Sequence, residues 1–187
     1  MFFKRNIQTN KNKQIMRCKI IYLFAIFGFL AVGCNEQDDG GHVDPITIYE
    51  KINGEWGLMN LKMVDEFAKT NAIEPSEQNL STLFNFEDFK INFNVDDKMQ
   101  PTTYQVLGNV PPLFAPTGYW ELSAPFQQTN ASAAVIYLFS DAEKTQMTDQ
   151  LRLTSVPGKN REMEIQLTRV SGGTAFVSYV FKLNAIE

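Results

Sequence analysis

Phe84 to Asp97 reads FNFEDFKINFNVDD, and its second half decides the fold: Phe89, Ile91, Phe93 and Val95 alternate with Lys90, Asn92 and Asn94. A side-chain period of two is the mark of a strand with one face in a core and one in water. Asp96-Asp97-Lys98 then turns the chain into Thr102 to Leu107, which predicts a hairpin partner.

The same grammar extends in both directions. Upstream, Gly54-Glu55-Trp56 opens a strand in which Trp56, Leu58 and Asn60 share one side and Met59, Leu61 and Met63 the other. Both sides are rather apolar, so this strand is expected to be covered on both faces at one end. Phe67 to Ser81 is more polar, and Ser76 to Leu80 after Pro75 is expected to form a short helix. Downstream, Gly108 to Gly118 carries Pro111, Pro112 and Pro116 and must be a loop, since proline cannot donate to a ladder. Short strands follow at Gly118–Leu122 and at Ala133–Phe139, the latter apolar throughout and expected to be buried. Met147–Leu153, Met163–Leu167 and Ala175–Leu183 alternate, with turn signals at 156–160 and at Gly172-Gly173. About eight strands joined by short turns predict an all-β domain, either an antiparallel barrel or a sandwich.

The N-terminal region is of another kind. Ile20 to Val32 are thirteen residues without a charge, preceded by six Lys/Arg and no acid. A membrane-spanning helix needs about 20 apolar residues, so this length suits an export signal. Met16 is an alternative start, because the segment from Met16 to Cys34 is by itself a compact signal peptide. Ala31-Val32-Gly33-Cys34 resembles the lipobox of bacterial lipoprotein signal peptides, with Ala31 where that pattern has Leu. The resemblance implies a leader over 1–33, a lipid such as palmitate on Cys34, and attachment to a membrane. Residues 34–47, which begin CNEQDDGG, are expected to be an acidic flexible tether before a domain over 48–187. An acidic run behind the cysteine resembles the surface-export signal of Bacteroidetes lipoproteins, which implies the outer membrane facing the cell surface; a linker facing the periplasm is the alternative.

Composition narrows the function. Of 17 basic and 21 acidic residues, six bases and no acids precede Cys34, so the remaining part carries 11 and 21, a net charge of −10. Nucleic acid and anionic headgroups would be repelled. The sole histidine, His42, lies in the tether and the two cysteines are Cys18 and Cys34, so no disulfide, metal site or cofactor is expected in the domain. Ser123, Ser132 and Ser155 lack a histidine partner, and Asp65-Glu66 and Asp96-Asp97 read as a strand end and a turn. The chain is expected not to be an enzyme.

INGEWGLMNLKMVDE (Ile52 to Glu66), with its Gly-x-Trp, looks like the opening of a lipocalin barrel. With FNFEDFKINFNVDD and GYWEL (Gly118 to Leu122), the domain resembles lipocalin-like lipoproteins of Bacteroidetes whose function is not established. That resemblance implies that Trp56 plugs the closed barrel end, with Arg169 the basic residue available to pack over it. Around the proline loop, Phe114, Tyr119 and Trp120 are the candidate ligand-binding residues, a rim that stacks on a small apolar molecule or a glycan. The expected role is therefore a ligand-binding or accessory module on the outer membrane. The alternative is an interaction subunit of an outer-membrane uptake assembly with a solid barrel and no ligand of its own.

Overall fold

A computed structural model describes residues 45–128 and 133–186. The leader, residues 34–44 of the tether with Cys34 and His42, and the Asn130-Ala-Ser stretch with Ser132 lie outside the described residues, whereas Pro45 to Thr47, read as the end of the tether, are described.

The strands are β1 (Gly54–Asp65), β2 (Glu77–Asn79), β3 (Lys90–Val95), β4 (Pro101–Leu107), β5 (Thr117–Leu122), β6 (Ala134–Phe139), β7 (Met147–Ser155), β8 (Glu162–Ser171) and β9 (Thr174–Ala185). Two short helices, α1 (Ile48–Ile52) and α2 (Glu66–Thr70), flank β1, and a 3-10 turn spans Phe86–Asp88. From β3 onward each strand pairs antiparallel with the next, and β9 returns to pair with β1 along Trp56–Asp65. That last pairing excludes a sandwich: the domain is a closed, lipocalin-like eight-stranded barrel with β2 as an added ninth strand.

β3 behaves as its pattern predicts, with Phe89, Ile91 and Phe93 buried. β1 departs from the simple alternation. A bulge at Met59 shifts its register against β9, so Trp56 is buried before it, Leu61 is fully buried after it, and Met59 itself is exposed. The extra residue changes which parity faces inward, and this is why both sides of the segment read as apolar. The helix expected at 76–80 is instead strand β2. β3 covers β1 only over Gly54–Gly57, which leaves the edge of Lys62–Val64 open, and Glu77–Asn79 pairs there. β6 is not covered on both faces either: Ala134, Ile136 and Leu138 point inward while Val135, Tyr137 and Phe139 are half-buried outside.

Both ends of the barrel are closed. At one end Thr47 caps α1, its hydroxyl accepting from the Glu50 N–H while the Glu50 carboxylate accepts from the Thr47 N–H. This helix buries Ile48, Tyr49 and Ile52, and the Ile48 N–H donates to the Pro125 carbonyl between β5 and β6. Gly54, at φ 110°, turns the chain from α1 into β1. Trp56 lies beneath α1, its indole donating to the Ile52 carbonyl at 2.8 Å. At the other end the 108–116 loop folds inward and places Phe114 against Phe89 and Phe181. Outside the barrel, α2 covers the upper part of β1 and β9. Asp65 caps it by accepting from the Ala68 N–H; Ala68 is the helix's buried residue, and Val64 on β1 and Ser178 on β9 are buried too. The acidic pair that closes β1 therefore has a structural task in Asp65.

Candidate functional site

The three aromatic candidates do not form one exposed rim. Trp120 is fully buried: its indole donates to the Asn94 carbonyl at 2.9 Å, and its ring meets Phe93 at 5.1 Å and Tyr49 at 5.7 Å. Phe114 is 6% exposed in the interior at the other end. Tyr119 lies half-buried on the outer face, paired with Phe139. Two physical causes separate them. Alternation in β5 sends neighbouring residues to opposite faces, and the ring of Phe114 gains more by packing on other aromatics than by facing water.

Beneath the proline loop the sequence holds a polar arrangement that its pattern does not announce. Asp149 on β7 and Arg169 on β8 have the parity of the inward-facing Leu151 and Leu167, and they meet at 2.6 Å between Oδ1 and Nη1. The second guanidinium nitrogen donates to the Leu113 carbonyl in the loop. Tyr104 on β4 donates its hydroxyl to the Ala115 carbonyl at 2.9 Å. Burial, with the negative charge of Asp149 as a second cause, pushes the Tyr104 hydroxyl up to about 12. A phenol so raised stays neutral over the working pH range and serves as a donor rather than as an acid or base. Arg169 and Tyr104 thus hold two successive carbonyl-bearing stretches of the proline loop down on the barrel.

Arg169 consequently does not pack over Trp56. It pairs with Val177 at the start of β9, whereas Trp56 pairs with Ala185 at its end. Gly118 contributes to the same region by close approach: a Cβ there would lie 2.3 Å from the Phe139 carbonyl oxygen and 2.9 Å from the Tyr104 ring.

The space left under the loop is about 60 Å³, lined by residues that include Phe86, Phe89, Val106, Val110 and Phe114. Small-molecule sites start near 300 Å³. Two concavities on the surface are larger. One, about 280 Å³, lies at the α1 end among Glu50, Lys51, Asn53, Pro157 and Arg161. The other, about 270 Å³, lies on the outer face of β6–β8 among Val135, Gln150, Arg152, Gln166 and Val170. Among the described residues no three of His, Cys, Asp and Glu gather as a metal site.

The comparison with protein families matches residues 33–184 to a domain of unknown function, DUF5004. The chain belongs to this family. No curated protein matches it, and no solved structure does. Membership fixes no activity, so the functional reading rests on the geometry.

Proposed function

We propose that this DUF5004 protein is a lipid-anchored interaction module of the bacterial envelope, whose barrel is a solid scaffold and not a container. The observation that carries this reading is the filled interior. Trp120, Phe93, Phe181 and Tyr104 are each 1% exposed or less, and Phe89 and Phe114 pack among them. α1 and the proline loop close the two ends over that core. Such packing is that of an ordinary protein interior, whereas a carrier of apolar molecules keeps space for its cargo. The anchor is Cys34, and the family match, which begins at residue 33, takes in that cysteine together with the barrel. Membership of the lipocalin-like lipoproteins of Bacteroidetes, on the outer membrane and facing the surface, fits the acidic run behind Cys34 and forms part of the same proposal.

A ligand-binding reading has one observation in its favour, the 280 Å³ cleft at the α1 end, polar and open to solvent. One pair of measurements separates the two. The full chain in detergent is titrated with fatty acids and neutral oligosaccharides while Trp emission is followed, and amine cross-linking is performed on cells that make it. A solid interaction module gives no saturable emission change and one recurrent cross-linked complex. A saturable change without a complex favours the ligand-binding module instead.

A further inference from the structure

The 65–89 excursion between β1 and β3 stands apart from the rest of the surface. It exposes four large apolar side chains: Phe67 at 67%, Ile73 at 51%, Leu83 at 39% and Phe84 at 69%. Phe84 is the most anomalous. It and Asn85 both hold left-handed backbone, at φ 55° and 59°. Asn tolerates that region, but for a bulky residue it is unfavourable, and Gly serves such a turn best. The turn itself needs only backbone bonds, Leu83 N–H to the Leu80 carbonyl and Phe86 N–H to the Leu83 carbonyl. From the 83–86 turn the core takes Phe86, which is 3% exposed; Phe84 leans edge-on against it at 6.4 Å with most of its ring in water. Neither the turn nor the core accounts for an aromatic at position 84. Local strain combined with an exposed ring is the pattern of a recognition element.

Charge selects the occupant. Residues 65–89 contain six acids and one base. Glu77 pairs with Lys62 and Asp65 caps α2, while Glu87 and Asp88, close in sequence to Phe84, have no ion-pair partner among the described residues. A second copy would set one acidic excursion against another, and an anionic membrane surface would be repelled. The described domain also begins, at Pro45, at the α1 end, whereas this excursion leaves β1 at the other.

We propose that the 65–89 excursion is a docking surface for a partner protein segment that presents apolar side chains between lysines and arginines, with Phe84 as the anchor. This rests on the interaction-module reading above and gives it a surface and a partner chemistry.

The test places a photoreactive phenylalanine analogue at position 84 of the full chain in the cells that make it, with position 150, on the exposed outer face, as control. The expected result is one adduct at 84 and none at 150, joined to a peptide with Lys or Arg beside apolar residues. Glu87→Lys with Asp88→Lys should lower its yield about tenfold or more, and Phe84→Ser should lower recovery of the complex similarly, since a hot-spot anchor carries that much. Thermal melts unchanged from wild type show that the variants fold. An adduct of twice the chain's mass, equal adducts at both positions, no adduct, or an adduct indifferent to charge reversal overturns the proposal. If amine cross-linking still captures a complex in Phe84→Ser, the surface is wrong and the interaction reading stands; if no complex forms in any variant or in wild type, the interaction reading itself fails.

Discussion

The indole N–H of Trp56 donates to the carbonyl oxygen of Ile52 at 2.8 Å, joining the first strand of the barrel to the helix that closes its end. Both residues are buried, at 2% and 0% exposure. Removing the ring leaves a cavity and an unpaired carbonyl together. Trp56→Ala is expected to lose about 3–5 kcal/mol, the range for large aromatics in cores. Trp56→Phe keeps most of the packing and is expected to lose about 1–2 kcal/mol, mainly through the stranded carbonyl. Urea unfolding checks this: the midpoints should fall in that order with the slope unchanged.

Period and turn chemistry made the barrel legible from local sequence. β3 and β8 announce themselves by strict alternation, and the 96–100 turn is closed as its residue types predict, with Asp96 accepting from the N–H groups of Lys98 and Gln100. What stayed hidden was non-local. The Met59 bulge is visible only against its partner β9, and β2 exists because β3 ends early along β1. Helix α1 did carry a readable sign in Thr47 and Glu50, whose spacing is that of a capping box. The candidate site was least legible. In GYWEL, alternation says that Tyr119 and Trp120 face opposite ways without saying which faces in, and a proline loop has no period from which to read the position of Phe114. Arg169 finds Asp149 20 residues away and Leu113 56 away, separations at which pattern carries no information.

Arg169 links β8 to β7 and to the proline loop, so its removal should be felt in the loop before the barrel. The Asp149 side chain is 9% exposed, and loss of its partner leaves a nearly buried carboxylate unpaired. Arg169→Met is expected to cost about 2–3 kcal/mol, below the range for fully buried pairs because the arginine side chain is 38% exposed. Hydrogen exchange should show the Val106 amide, which donates to the Pro116 carbonyl at the end of the loop, losing protection while β3 and β9 retain theirs. The double variant Arg169→Met, Asp149→Leu should recover part of the stability, since no charge is then stranded. Equal loss of protection throughout the barrel would contradict a local clamp.

Tyr104 predicts an alkaline limit. Burial, and then the charge of Asp149, raises its hydroxyl to about 12 in the folded protein, against about 10 in the unfolded chain. The stabilisation from keeping it protonated is complete below about pH 10 and is lost as the pH climbs towards 12, because only the unfolded state gives up the proton in that window. Tyr49 is also raised, chiefly by burial, and adds in the same direction. Stability measured by urea should therefore fall steeply above about pH 10. In Tyr104→Phe the fall should be shallower, while stability at neutral pH is lower through loss of the bond to Ala115. A pH profile parallel to wild type would show that Tyr104 does not carry the linkage.

The anchor is the feature on which the proposed location depends. Behind Cys34 the chain carries a net charge of −10, so attraction to anionic headgroups cannot hold it at a membrane. The −10 charge makes the test clean, because acyl chains on Cys34 are the one attachment proposed. Each buried methylene contributes about 0.8 kcal/mol, and two or more chains hold a protein stably where one does not. Wild type should take up labelled palmitate and remain with membranes through a high-salt wash. Cys34→Ala should take up no label and should keep its leader, since processing at a lipobox follows acylation of its cysteine. A variant that is cleaved normally and released would point to an ordinary export signal, and a variant labelled as strongly as wild type would place the lipid elsewhere in the chain.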